Sequence, residues 1–453
     1  MARGIPNMLM VLRALGVLSA VIALTIAISP FVVVHSDHLQ GSIPSGSDTV
    51  LDEPSTNRAP FPCVANSTTA SASRKTDIPI SSSMPAGPMT LASRIEKLQT
   101  PPSGLTIHVY HLPDKWDAGL LAANKECATH QWAAEVKIPR LIRARKELEP
   151  SDPDQADFYL VPFPSKCYFN KVAEKRRSKM TEVFVQILEH IKNAHNWWAR
   201  TAGRDHVFIF PSGVGASMFP AWRTYIPFSI FLVAEGDRTK DYVNTWKDII
   251  VPGVSHAGMV NEPPMPLQLR THFIYFRGKL ESKDADSDGH EVRRPLKLRH
   301  DLHRIFSRSN ASSRVVFTDR YAQPAVYANE VRHSRFCICP RGGTPWTRRV
   351  FDAVFAGCVP VVISDDVEFP FEDFLPYDEF SIKITEADSI QGDHVQTLLA
   401  AIPQEEVEKK LTALNTVRRA FLYDKGCALD LILHQLANKK RQFKHSSEHS
   451  WMK

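Results

Sequence analysis

From about residue 105 onward, the apolar positions alternate between short dense runs and longer periodic stretches. Runs of β-branched and aromatic residues at 106–110 and 157–161 predict strands. Between 179 and 198 the apolar residues Val183, Ile187, Leu188 and Ile191 recur at helical spacing, and Gly203 follows where a C-cap favours glycine. Further strands are predicted at 207–210, 228–233, 248–251, 272–276, 314–318 and 336–339, then a helix over 345–356 and a strand at 359–363. A long helix over 404–423 carries Val407, Leu411, Leu414, Val417, Ala420 and Phe421 on one side. Strands that are nearly continuous apolar runs predict parallel sheets covered on both faces. The fold class is therefore α/β, in two units divided near residue 260 with a cleft between them. Ligands of such sheets bind beyond the carboxyl ends of the strands.

Residues 14–34 carry no charged side chain, about the length an α-helix needs to cross the hydrocarbon core. Arg3 and Arg13 precede this run and no acidic residue occurs before Asp37. The positive-inside rule then predicts a cytosolic tail over 1–13, a transmembrane signal anchor over 14–34 and a lumenal remainder, a single-pass type II arrangement. A cleaved signal peptide is the competing reading, from the small residues and Ser29-Pro30. The apolar stretch runs on to Val34, longer than a typical signal-peptide core, and favours the anchor. Residues 35–103, rich in Ser, Thr and Pro, cannot bury enough surface to offset their chain entropy and are expected to form a flexible stem. Asn66 and Asn310 each begin a glycosylation sequon, usable in a lumenal protein. Residues 431–453 are expected to form a basic C-terminal tail.

Composition narrows the classes. Of 453 residues, 43% are hydrophobic and 23% charged, which excludes a wholly disordered, collagen-like or polytopic membrane chain. A net charge of +6 is too mild to indicate a nucleic-acid binder. The seven cysteines leave at least one unpaired within the chain. Cys337 and Cys339 are expected to be buried or disulfide-bonded, because no second Cys/His pair has zinc-like spacing. Asp284, Asp286 and Asp288 open like a calcium loop, but position twelve is Pro295 where a bidentate Glu is needed. A solvated acidic loop is expected, and no metal.

The stretch 334–382 holds the candidate chemistry. Pro340-Arg341-Gly342-Gly343 allows close backbone approach to a ligand, and the helix behind it offers unpaired N–H groups suited to phosphate. Arg341, Arg348 and Arg349 add planar, permanently charged donors for a diphosphate. Arg349 and Asp352, three apart, share a helix face, one placed for phosphate and the other to accept from a ribose hydroxyl. The plain alternative is a surface Arg–Asp pair on an ordinary βα unit. The cluster Arg293, Arg294, Lys297, Arg299 and Arg304 reads as a solvated helix face rather than an acidic-polysaccharide site.

These residues carry a resemblance. Phe336-Cys337-Ile338-Cys339-Pro340, then Thr347-Arg348-Arg349, Asp352 and Gly357-Cys358-Val359-Pro360-Val361-Val362 resemble the C-terminal signature of the exostosin-like glycosyltransferases, family 47. Blocks beginning at His108, Ala156, Gly203, Lys247 and Phe276 match the family's other motifs in order, so that the resemblance spans about residues 105–425. It implies a GT-B architecture of two Rossmann-like domains, an acceptor-side one over 104–260 and a nucleotide-sugar one over 261–430. It implies an inverting transfer from a nucleotide sugar to a glycan or polysaccharide by a Golgi membrane enzyme, with no cofactor beyond the donor. Arg277, Gly278, Arg341, Gly342, Gly343, Thr347, Arg348, Arg349 and Asp352 are the implied donor residues. The base must lie across the cleft, where Asp205 and His206 after a helix are the candidates; the equal alternative is that this pair caps and orients its loop. The expected partners are the nucleotide sugar, the glycan acceptor, the membrane and other glycosyltransferases in a homo- or hetero-oligomer. The alternative function is a non-catalytic glycan-binding or partner subunit that keeps the fold. The chain departs from the animal members at Asp352, where they have Glu, and in an insert over 281–291; its layout resembles the single-domain plant and algal members.

Overall fold

The computed structural model describes residues 90–285, 291–308 and 314–443. The predicted cytosolic tail and anchor, most of the stem, and Asn66 and Asn310 lie outside them. Among the described residues no helix is long and apolar enough to cross a membrane.

Two five-stranded sheets organise the chain, and both belong to one compact unit. The first contains β1 (Ile107–Val109), β2 (Phe158–Leu160), β3 (His206–Phe210), β4 (Ile230–Val233) and β5 (Ile249–Ile250), all parallel and side by side in chain order. After it come β6 (His272–Arg277), an antiparallel hairpin of β7 (Glu281–Ala285) and β8 (Glu291–Pro295), and then β9 (Val315–Thr318), β10 (Ser334–Pro340), β11 (Val359–Ile363) and β12 (Ile382–Lys383). The second sheet is parallel too, in the order β12-β11-β10-β6-β9. The expected pair of parallel sheets divided near residue 260 is therefore present. The acidic insert, expected as a loop, has arms that pair as a hairpin.

Burial on both faces explains the dense apolar strands. In the first sheet Phe158, Leu160, Val207, Ile209, Ile230 and Leu232 join the core that also fills the second sheet. Their alternates Tyr159, Phe208, Phe210, Phe231 and Val233 pack into a separate aromatic core under the Arg177–Ala194 helix. That helix is shorter than its periodicity suggested: it ends at Ala194, and a short helix Trp197–Thr201 carries the chain on. Its C-cap is Ala202 in the left-handed region, ahead of Gly203.

The chain crosses between the sheets twice, once between β5 and β6 and again near Tyr423, whose hydroxyl donates to the Pro252 carbonyl at 2.8 Å and so ties the crossings together. After the second crossing comes a helix, Ala428–Phe443. The tail expected from residue 431 is thus helical as far as Phe443. Leu431, Ile432 and Leu433 are fully buried, and Lys439 Nζ donates to the Thr245 carbonyl at 2.9 Å beside β5. The stem boundary shifts as well, since Leu91–Lys97 is helical.

Cys337 is bonded to Cys358 and Cys127 to Cys167, and Cys339 is buried with its thiol free.

Candidate active site

In the second sheet the chain leaves β6 toward β9 on one side and later fills β10 on the other. This topological switch is where open α/β sheets bind ligands, beyond the carboxyl ends of the strands. A cavity of about 660 Å³ lies there. β6 contributes Arg277 and Gly278, the chain after β9 contributes Asp319, Arg320 and Tyr321, and the segment after β10 contributes Trp346, Thr347, Arg348, Arg349 and Asp352. Six basic side chains line it against two carboxylates, a strongly positive surface suited to a polyanion.

The basic groups are held in place by the fold. Arg349 begins the Arg349–Ala356 helix, stacks over the Phe276 ring at 4.9 Å, and donates through Nε and Nη2 to the Arg277 carbonyl at 3.0 and 2.8 Å. Glycine at 278 makes this possible, because a Cβ there would coincide with the Arg349 guanidinium. Arg277 is clamped by Glu330 at 2.8 and 2.9 Å. Arg299, expected on a solvated face, is buried and donates to the carbonyls of Arg341, Lys279 and Pro340. The helix starts at Arg349 rather than at 345, and the Thr347 hydroxyl accepts its first amide at 3.4 Å.

Asp352 is 2% exposed. Its Oδ2 accepts from Arg348 at 3.3 Å and from the Tyr327 hydroxyl at 3.1 Å. The partner of Asp352 is therefore Arg348, one turn back at i−4, rather than Arg349. Its Oδ1 is buried without a hydrogen-bond partner among the described residues, so an acceptor inside the cavity wall awaits a donor.

Three expected donor residues lie elsewhere. Arg341 pairs with Glu386 at 3.3 Å, and Arg341, Gly342 and Gly343 are not among the cavity's lining residues. The Gly loop turns the chain under Arg299 instead of touching the ligand space. Asp205 and His206 do not fit as base. His206 is 0% exposed, with Nε2 at 2.8 Å from the Tyr110 hydroxyl and Nδ1 at 2.8 Å from Asp205 Oδ1, while Asp205 is held by Arg200 and Thr201. Both sit at the amino end of β3, roughly 13 Å of strand from the carboxyl end that faces the cleft. They brace an aromatic core.

Sequence reasoning missed the other wall of the cleft. Glu235 lies just beyond the carboxyl end of β4, 0% exposed, and Oε1 accepts the Trp346 amide at 2.9 Å. Burial pushes its carboxyl up to about 8, against the opposing pull of the Thr344 hydroxyl and that amide. Trp132 packs on Trp346 with ring centroids 5.1 Å apart, and the neighbouring Gln131 Oε1 accepts from Arg348 at 3.4 Å. A carboxylate inside the apolar run 230–237 was the one available signal.

The exostosin GT47 domain family matches residues 101–402. The chain belongs to that family. A probable glucuronosyltransferase GUT1 of Oryza sativa subsp. japonica is 27% identical over 361 residues, covering 77% of this chain and 83% of the relative. A probable beta-1,4-xylosyltransferase IRX10 of Arabidopsis thaliana is 28% identical over 361 residues, covering 76% and 84%. As a member of the exostosin family the protein is a glycosyltransferase. The matched span contains both sheets and the whole positive cavity, while the Ala428–Phe443 helix falls beyond it.

Proposed function

We propose that the protein is an inverting GT-B transferase that moves a sugar from a nucleoside diphosphate to a glycan or polysaccharide, with the donor in the cavity at the β6/β10 switch. The observation that carries this is the pairing of six basic side chains with the unpartnered, buried Asp352 Oδ1. Guanidinium groups meet the diphosphate and a carboxylate oxygen meets a ribose hydroxyl. In the reaction an acceptor oxygen attacks the anomeric carbon from the face opposite the leaving group. The anomeric carbon–oxygen bond breaks, its electron pair stays on the diphosphate, and the guanidiniums stabilise the charge that develops there. Arg348 and Arg349 are the leaving-group residues, and Arg277 supports them. No metal is assigned a role.

The relatives' names make UDP-glucuronate and UDP-xylose the first donors to test. The run 14–34 supports a Golgi location with type II topology, and assembly with other transferases belongs to the same proposal. Calorimetry with UDP and GDP, followed by diphosphate release from a panel of nucleotide sugars, tests it. A protein that binds neither nucleotide is not a transferase of this kind. Complete secretion of a product beginning near residue 36 would replace the anchor with a signal peptide.

A further inference from the structure

A second cavity of about 270 Å³ lies on the first-sheet side of the cleft. It adjoins the donor cavity at the Trp132–Trp346 pair, whose ring centroids lie 5.1 Å apart, Trp132 lining one cavity and Trp346 the other. His130, Trp132, Glu135 and Lys166 line it. Its frame is rigid: the Cys127–Cys167 disulfide joins the segment carrying His130 to the Ser165–Lys171 helix, and the buried Glu135 carboxyl accepts the amides of Lys166 and Cys167, both at 2.8 Å, at that helix's start.

Its ammonium and imidazole, Lys166 and His130, remain available. Lys166 Nζ lies 4.7 Å from the Phe169 ring and 5.9 Å from the Trp132 ring and forms no ion pair among the described residues. An aromatic ring flanked by an ammonium and an imidazole is how a site holds a sugar: the apolar face of a pyranose lies on the ring and its hydroxyls meet the polar groups. The location matters equally, because Gln131, between His130 and Trp132, touches Arg348 of the donor cavity.

We propose that this cavity is the acceptor subsite, in which a neutral pyranose of the acceptor glycan lies on Trp132, hydrogen-bonds to Lys166, and presents its attacking hydroxyl to His130, which takes the proton. The inference rests on the donor assignment above. The hydroxyl proton passes to the imidazole as its oxygen bonds to the anomeric carbon and the diphosphate departs with the other electron pair. The imidazole is in the right state to accept it: burial foremost, then Arg348, Lys166 and Lys171, lower its pKa from 6.5 against the smaller opposing effect of Glu126. His130 is thus neutral at neutral pH, as a base must be.

The test uses the full chain in detergent. Tryptophan fluorescence is titrated with xylotetraose, cellotetraose and an acidic heparosan tetrasaccharide, and UDP and GDP binding is measured in parallel. A neutral oligosaccharide should bind, Trp132→Ala should weaken it at least tenfold and Lys166→Met several-fold, with nucleotide affinity within twofold of the parent. Lys166→Met leaves the Trp132–Trp346 contact intact, so it serves if Trp132→Ala does not fold. His130→Gln should keep oligosaccharide affinity, lower kcat at least a hundredfold, and remove the acid limb of the kcat profile. Binding by none of the three oligosaccharides, tighter binding of the acidic one, unchanged binding in both Trp132→Ala and Lys166→Met, or a parental rate and pH profile in His130→Gln would overturn the assignment. Failure of the parent to bind any nucleotide would instead remove the donor reading, a separate outcome.

Discussion

At the scale of single residues, Arg349 and Asp352 do unequal jobs. Two of the Arg349 nitrogens already hold the Arg277 carbonyl, which leaves Nη1 as its arm for a phosphate. A charge-assisted hydrogen bond is worth about 1.5–3 kcal/mol. Arg349→Ala should therefore lower nucleoside diphosphate affinity by roughly tenfold to a hundredfold, read by calorimetry without acceptor. Arg349→Lys should recover only part, since an ammonium cannot span the carbonyl and a phosphate with one planar fork. Asp352→Asn should weaken nucleotide binding in a folded protein, and parental binding in both Arg349→Ala and Asp352→Asn would show the helix to be structural only. The motif made these residues visible because their spacing is local. Glu235 and Trp132 were not visible, since each meets Trp346 across more than a hundred residues of chain. Asp205 and His206 belong to the half across the cleft, where a base is needed, but a residue at the start of a parallel strand sits at the end away from the ligand crevice.

Among the elements, strands were easier to place than helix ends. The strand at 359–363 is β11 without change, since apolar runs buried on two faces have sharp limits. The helix expected from 345 begins four residues later, because Trp346 serves the cleft wall and Arg348 forms the N-cap. The Ala428–Phe443 helix was hidden by Lys439, Lys440 and Arg441, which made its second half look like a solvated tail. Its first half is core. Ile432→Ala should cost about 2–5 kcal/mol of stability, measured by denaturant unfolding; a change under 0.5 kcal/mol would mean the helix does not contribute to the fold.

For the molecule as a whole, buried carboxyls set a pH dependence. Burial raises Glu235 to about 8 and Glu135 to about 7, from 4.5. In the folded state they keep their protons to higher pH than in the unfolded chain, so their contribution is complete below pH 4.5 and is lost as pH rises through 7 to 8. Tm should fall across that window. Glu235→Gln, which cannot ionise, should flatten the decline and raise Tm at pH 8 by of order 2 °C; an unchanged profile would show that Glu235 ionises normally. Guanidinium groups carry the leaving-group charge in the proposed reaction, so transfer should survive EDTA. Full loss of activity restored by manganese but not by salt would assign that charge to a metal.

The hydrogen bond between Tyr423 and Pro252 has a mechanical consequence. Two bodies joined by one strand of chain can swivel about it in any direction. Here two crossings run side by side and are pinned to each other, and one core runs under both sheets, which holds Trp132 and Gln131 in register over Trp346 and Arg348. Tyr423→Phe should widen the spread of distances between labels on the two halves when UDP is bound, measured by double electron–electron resonance. An unchanged spread would show that the alignment comes from elsewhere in the fold.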